Sequence, residues 1–185
     1  MIETERLHLR LPGPEEAAEV ARYYHDNDEH LRPWSPPGSP VQLTAEFWTE
    51  QLTRWHEDAD AGRAHRFFLS KRSEPEVVIG SLSLTNVIRG ALQQCFLGYS
   101  LAASEQGHGY VSEAVERAVR FAFDELHLHR VQAGYMPENT RSAAVLRRCG
   151  FRVEGYAYDY LYIAGRWADH IITARTNPAR PAPQI

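Results

Sequence analysis

The sequence predicts an α/β (α+β) domain, with one mixed central sheet of about seven strands and four helices. Three observations carry that prediction. Residues 66–101 hold three short apolar segments divided by turn-like residues, the pattern of an antiparallel meander. A glycine-bearing turn then feeds the most strongly amphipathic helix of the chain. The chain closes with a strand, a helix and a long hairpin, and no internal repeat or second domain interrupts it.

Leu7, Leu9 and Leu11 alternate with His8 and Arg10, a period-two strand that Pro12, Gly13 and Pro14 end. Pro14, Glu15 and Glu16 suit a helix start, because proline lacks a donor the first turn does not need and acids favour the positive end of the dipole. Ala17, Val20, Ala21 and Tyr24 follow at helical spacing. Leu31 to Pro40 holds four prolines and Trp34, and reads as a structured loop. A second helix is predicted from about Thr44 to Ala61, with Trp48, Leu52 and Trp55 on one face and Gly62 to stop it. The meander strands fall at Arg66–Lys71, Val77–Val87 and Phe96–Leu101.

Val111, Ala114, Val115, Ala118, Val119 and Ala122 mark the third helix, which reaches about Leu126. Glu113 with Arg117 and Glu116 with Arg120 are expected as i,i+4 ion pairs on its wet face. Arg130–Tyr135 is the next strand and Asn139–Cys149 the last helix, with Gly150 as its left-handed stop. Phe151–Ile163 and Arg166–Thr176 form the closing hairpin. One domain over residues 1–176 is expected, followed by a proline-rich tail over 177–185 whose composition predicts disorder.

Composition narrows the function. The 185 residues carry a net charge of −4 and no basic cluster, which argues against direct nucleic-acid binding. No apolar run approaches the ~18 residues of a membrane span. The charged first ten residues do not read as a signal peptide. Cys95 and Cys149 are two distant lone thiols with no CxxC. The nine histidines form no HExxH and no Cys/His cluster, so no metal is implied. The expectation is a cytoplasmic protein.

The most informative segment is Ser104-Glu105-Gln106-Gly107-His108-Gly109-Tyr110-Val111, between the third meander strand and the strongest helix. Two glycines there let backbone N–H groups converge on an anion, and the helix N-terminus adds its partial positive charge. A phosphate cradle of backbone alone needs no lysine. A plain tight turn is the other reading of a lone GxG. No Gly-Lys-Ser/Thr follows, which excludes a P-loop, and the preceding meander is not a dinucleotide-binding unit.

Gln106-Gly107-x-Gly109-x-Val111 resembles the pyrophosphate motif of the GNAT superfamily, [RQ]-x-x-G-x-[GA]. Asn139, Ser142, Gly150 and Phe151 look like that superfamily's second signature, an Asn opening a helix that ends in Gly-Phe. Thr4-Glu5-Arg6-Leu7, Arg32-Pro33-Trp34, Leu97-Gly98-Tyr99-Ser100, His129-Arg130, Tyr135-Met136-Pro137-x-Asn139 and Trp167-x-Asp169-His170 are similar to the RimJ/RimL-type acetyltransferases of ribosomal-protein N-termini, closest to the RimJ branch. The resemblance implies a GNAT fold with a V-shaped split between the fourth and fifth strands. It implies acetyl-CoA as cosubstrate, with the pantetheine arm in the split. The implied cofactor residues are Leu101, Ala103, Gln106, Gly107, His108, Gly109, Tyr110, Val111, Asn139 and Ser142. The implied acceptor is a protein N-terminus, ribosomal in type, and either a monomer or a homodimer is compatible with it.

Three positions depart from the superfamily, the first being Val111, where its pyrophosphate motif usually ends in Gly or Ala; the backbone donors survive that change. The superfamily's usual acidic tyrosine, seven residues after the Asn, is Leu146 here, and its usual glutamate on the third meander strand falls in Cys95-Phe96-Leu97. Acyl transfer needs a neutral amine. An α-amine has a pKa of about 7.7–8.0 against about 10.4 for lysine, so the missing base favours an N-terminal acceptor. The candidate proton acceptors are Asp159, Glu138 and His129. Asp159 is expected on one strand face with Leu161 and Ile163, where apolar neighbours would raise its pKa. In RimL-type enzymes the residue at Ser142 is thought to assist the departing thiolate; a first-turn serine bonding backbone is the other reading. Trp34, Tyr135 and Glu138 are expected to bind the acceptor. Tyr156, Tyr158, Tyr160 and Tyr162 either join them or form a packed sheet face. A small-molecule N-acetyltransferase and a non-catalytic acyl-CoA-binding regulatory domain are the alternatives.

Overall fold

The computed structural model describes residues 1–38, 43–179 and 182. The period-two segments become strands: β1 (Ile2–Glu3), β2 (Leu7–Arg10), β3 (His65–Lys71), β4 (Gly80–Ile88), β5 (Gln94–Leu101), β6 (Arg130–Tyr135), β7 (Arg152–Ile163) and β8 (Arg166–Thr176). They form one sheet in the order β1-β2-β3-β4-β5-β6-β8-β7. The helices are α1 (Ala17–Asp26), α2 (Asp28–Leu31), α3 (Ala45–Asp60), α4 (Tyr110–Asp124) and α5 (Thr140–Arg148). The described residues thus hold eight strands and five helices against about seven and four expected. The additions are the two-residue β1 and the four-residue α2, both too short to show a periodicity.

Both faces of the sheet are covered over β2–β5. Leu7, Leu9, Leu69, Leu82 and Leu84 pack against Val115, Ala118 and Val119 of α4. On the other face Phe68 meets Val20 of α1 and Trp48 and Leu52 of α3. Double coverage explains why Phe67, Phe68 and Leu69 are all buried where an alternating pattern would expose one. Thr44 caps α3, its hydroxyl accepting from the Phe47 N–H at 3.3 Å.

The feature that positions the site is a divergence. β5 and β6 run parallel and pair only at Gln94↔Arg130, Cys95↔Val131 and Phe96↔Gln132. Beyond that, β5 stays on β4 as far as Gly80↔Leu101, and β6 stays on β8 as far as Tyr135↔Ile171. A register shift in β4 between Thr85 and Ile88 lies opposite the last shared pairs, where a bulge adds local twist. The split falls between the predicted strands; it becomes fifth-from-sixth because β1 is counted.

Several expectations are corrected. Glu113 and Glu116 do not pair within α4: Glu113 bonds Arg6 and Glu116 bonds Arg175, while Arg117 reaches Glu125. The four tyrosines are not a packed face. β7 is the sheet edge, and Tyr156, Tyr158, Tyr160 and Tyr162 are all exposed. Asn177, the predicted start of a disordered tail, is buried and donates its N–H to the His129 carbonyl at 2.7 Å. The remainder of that tail at 180, 181 and 183–185 lies outside the described residues, as do Ser39 and Pro40 of the proline-rich loop. No helix among the described residues is long and apolar enough to cross a membrane.

Leu146 is 1% exposed and closes the core between α5 and the sheet. Leu146→Ala is expected to lower unfolding free energy by about 2–5 kcal/mol, read as a shift of the urea midpoint at constant slope.

Candidate functional site

The divergence of β5 and β6 leaves backbone groups without ladder partners. The Ala102 N–H turns toward β4, bonding the Ile79 carbonyl at 2.8 Å, and the Gln93 carbonyl turns toward β6, accepting from Arg130 at 3.0 Å. Alternation along β5 then points the backbone groups of Tyr99 and Leu101 into the gap. Leu101, expected as a cofactor contact, therefore turns its backbone groups toward the gap.

The turn after β5 reaches the N-terminus of α4. Gly107 has φ +83° and Gly109, the N-cap, has φ +81°, a left-handed conformation that costs L side chains about 1–2 kcal/mol. The first helical N–H to find a carbonyl is that of Glu113, bonded to Gly109 at 3.1 Å. The N–H groups of residues 107–112 have no acceptor among the described residues. With the helix dipole behind them they form an anion cradle. His108 stacks on Tyr110 with ring centres 5.7 Å apart, and Val111 packs toward the core.

Two of the expected cofactor contacts are engaged elsewhere. The Ala103 N–H donates to Asn27 Oδ1 at 3.0 Å, so it is not a free donor. The Gln106 amide lies 2.8 Å from His30 Nε2 and donates to it, and the Gln106 backbone N–H donates to the Ala103 carbonyl at 3.4 Å, so neither is a free donor. Asn27 and His30 therefore tie the cradle to the α1–α2 corner. Neither stood out in the sequence, because their partners lie 76 residues away.

On the opposite wall, Asn139 caps α5, its Oδ1 accepting from the Ser142 N–H at 3.0 Å. Ser142 Oγ lies 2.8 Å from the Tyr99 hydroxyl. Burial pushes the Tyr99 phenol up to about 12, the Ser142 hydrogen bond pulling weakly the other way, so Tyr99 keeps its proton at ordinary pH. In the sequence, the only local signal at Tyr99 is its alternation with Leu97 and Leu101.

The acceptor candidates lie around the open end of the gap. Tyr135 ends β6 half-buried and Glu138 follows it exposed. Trp34 is exposed in a turn whose next residue, Ser35, accepts from the Ala164 N–H at the tip of the β7–β8 hairpin, at 3.1 Å. His129 sits at the other end of β6, where β5 and β6 are still paired, which removes it as a proton acceptor in the gap. Asp159 is exposed, at φ +46° in the β7 irregularity between Ala157 and Leu161. It is not flanked by the apolar face that its proposed role required. The carboxylate with partners there is Asp169, which accepts from Tyr156 Oη at 2.7 Å and from the Asp159 N–H at 2.9 Å. Those bonds, the Asp159 N–H first, hold it below the usual carboxylate range.

A cradle, a splayed sheet and a hydroxyl pair define an acyltransferase architecture. Residues 6–152 match the acetyltransferase (GNAT) domain model, and the chain belongs to that family of acetyl-CoA-dependent N-acetyltransferases. It is 41% identical over 175 residues to the ribosomal protein uS5-alanine N-acetyltransferase of Escherichia coli (strain K12), covering 95% of this chain and 90% of that one. The crystal structure of ribosomal-protein-S5-alanine acetyltransferase from Vibrio fischeri superposes with a TM-score of 0.93 at 35% identity, over 98% of both chains. Mycobacterium smegmatis RimJ in complex with CoA-disulfide gives 0.87 at 30%, over 97% of this chain and 90% of that one.

Gly109→Ala is expected to cost about 1–2 kcal/mol of stability by forcing a side chain to positive φ. Gly155→Ala, where the new Cβ meets nothing within 4 Å and φ is not positive, is expected to be neutral or mildly stabilising. Paired thermal melts check the contrast.

Proposed function

We propose that the chain moves the acetyl group of acetyl-CoA onto the N-terminal α-amine of a protein, with an alanine-initiated ribosomal protein as the acceptor class. The observation that carries this reading is the unpaired N–H cradle at residues 107–112 beside the β5–β6 gap, in a chain similar over 95% of its length to a ribosomal protein uS5-alanine N-acetyltransferase. The cradle holds the pyrophosphate through backbone donors. The free backbone edges of β5 and β6 take the amides of the pantetheine arm, as a strand would. Asn139 spends Oδ1 on its cap and has Nδ2 left for a pantetheine carbonyl.

The acceptor amine attacks the thioester carbon to form the C–N bond, and the C–S bond breaks when the tetrahedral intermediate collapses. The Leu101 N–H stabilises the oxyanion between those events. The departing thiolate takes its proton from the Ser142 hydroxyl, which is replenished through Tyr99. With Tyr99 donating to Ser142 Oγ, the Ser142 O–H is free to point at sulfur. The amine arrives neutral and, after attack, gives up one of its two N–H protons to water, the other staying on the amide. An α-amine is partly neutral at pH 7–8, which suits a site without a strong base.

The decisive assay follows thiol release from acetyl-CoA with Ala-, Ser- and Met-initiated peptides, the same peptides N-blocked with an internal Lys, a polyamine and an aminoglycoside. Turnover is expected with free N-termini, Ala best; turnover with small amines alone would sink the reading.

Tyr99→Phe is expected to lower kcat about tenfold, and Ser142→Ala by about 10- to 100-fold, with smaller changes in KM for acetyl-CoA. The wild-type rate rises with pH through the amine pKa of about 7.7–8.0 and holds level to pH ~10. It does so because Tyr99 keeps its proton until about 12. A falling limb near pH 8 would exclude Tyr99 as the proton source.

A further inference from the structure

The cradle donates through backbone alone, and its two left-handed glycines make the free turn costly to order. Something must hold the N–H groups in one direction. The residue placed to do so comes from the far end of the chain, between β1 and β2. Arg6 Nη1 donates to the His108 carbonyl at 3.0 Å. Its guanidinium carbon lies 4.7 Å above the Tyr110 ring. Its Nε reaches Glu113 Oε2 at 2.7 Å and its Nη2 the same oxygen at 2.6 Å, while the Arg6 backbone N–H donates to Glu113 Oε1 at 2.9 Å. One side chain thus grips the middle of the turn, the first residue of α4 and the carboxylate one turn in. Arg6 is itself anchored, its carbonyl accepting from the Arg72 N–H at 2.9 Å.

We infer that Arg6 is a positioning residue for the cradle: it fixes the direction of the N–H groups of residues 107–112 and so sets affinity for the pyrophosphate of acetyl-CoA, without touching the acyl group. Its charge is matched by Glu113, so it acts chiefly through geometry. Burial raises the Glu113 carboxyl, but hydrogen bonds from Thr4 and from the Arg6 backbone and guanidinium outweigh that and hold it below the usual carboxylate range, keeping the pair ionised. A lysine has one point of attachment and cannot make the three contacts at once. The inference rests on the reading of the turn as a pyrophosphate site.

The test compares acetyl-CoA with S-acetylpantetheine, which carries the same thioester and arm but no pyrophosphate, on the full chain with an Ala-initiated peptide. In the wild type, kcat/KM should be much higher for acetyl-CoA; equal values would refute the pyrophosphate reading itself, and Arg6's role with it. Given that preference, Arg6→Gln and Arg6→Lys should raise KM for acetyl-CoA by about 10- to 100-fold with kcat within about threefold. They should leave kcat/KM for S-acetylpantetheine unchanged. Glu113→Gln breaks the same clamp from its other side and should give a similar selective loss, with the double variant no worse than Arg6→Gln alone. Equal losses on both thioesters, or no loss on either, would overturn the inference. Thermal unfolding of each variant confirms that the proteins compared are folded.

Discussion

The whole site depends on two strands that begin as neighbours and then keep different partners. β5 is held by β4 through Leu101, and β6 by β8 through Tyr135, so neither can follow the other past Phe96 and Gln132. A backbone donor or acceptor without a partner is costly when dry, about 1–3 kcal/mol each, so such an edge must face water or a ligand. A thioester arm that carries its own amides is chemically suited to that edge. The same geometry places α4: the chain leaves β5 at the mouth of the gap, and the turn delivers the helix N-terminus there. Cradle and gap are thus two consequences of one divergence.

The hydroxyl chemistry shows how the site tolerates a departure from its family. Leu146 occupies the place of the usual acidic tyrosine, but it is buried in the core. In the proposed mechanism the phenol comes instead from the facing strand, as Tyr99, whose hydroxyl lies 2.8 Å from Ser142 Oγ. A donor that titrates near 12 is a weak acid in water but remains fully protonated at working pH. On that proposal it supplies a hydrogen bond oriented before the thiolate develops, and electrostatic preorganisation of that kind needs no tuned pKa.

The sequence made legible whatever is set by local pattern. The meander, α4 and the glycine turn are all read from spacing within about a dozen residues. The pairings that cross the fold were not. Rules for i,i+4 pairs gave Glu113 to Arg117, yet Arg6 competes for it from 107 residues away and wins with several hydrogen bonds to one carboxylate. Period-two alternation found β7 but not which faces were covered, because that depends on strand order; β7 is an edge, and its tyrosines are bare. Asp159 was misjudged for a related reason. Its positive φ and the register shift beside it remove it from the face that regular alternation assigns. The Tyr99–Ser142 contact joins residues 43 apart and has no signature in either segment.

The two sides of the gap differ in a way that bears on the acceptor. On β5, Tyr99 turns toward α5, whereas Ser100 turns toward α1, where its hydroxyl lies 2.8 Å from that of Tyr23. Gly98 shares the α1 side with Ser100, and Gly134 lies on the same side of β6, opposite the buried Val131 and Ala133. Both glycines are exposed and add no side chain of their own to that side of the gap, where Ser83 flanks Gly98 and His170 and Ile172 flank Gly134. The hairpin tip, hydrogen-bonded to the chain beside Trp34, flanks this approach at its outer end. Glycines at these two positions suit the proposed approach of a nucleophile at the tip of an extended chain. An N-terminal amine needs to insert only one residue, and a small first side chain such as alanine's adds little width. A lysine amine would have to bring a four-carbon stem and lose its proton from a higher pKa. On the proposed reading, the lower pKa and shorter reach of an α-amine therefore favour it over a lysine side chain.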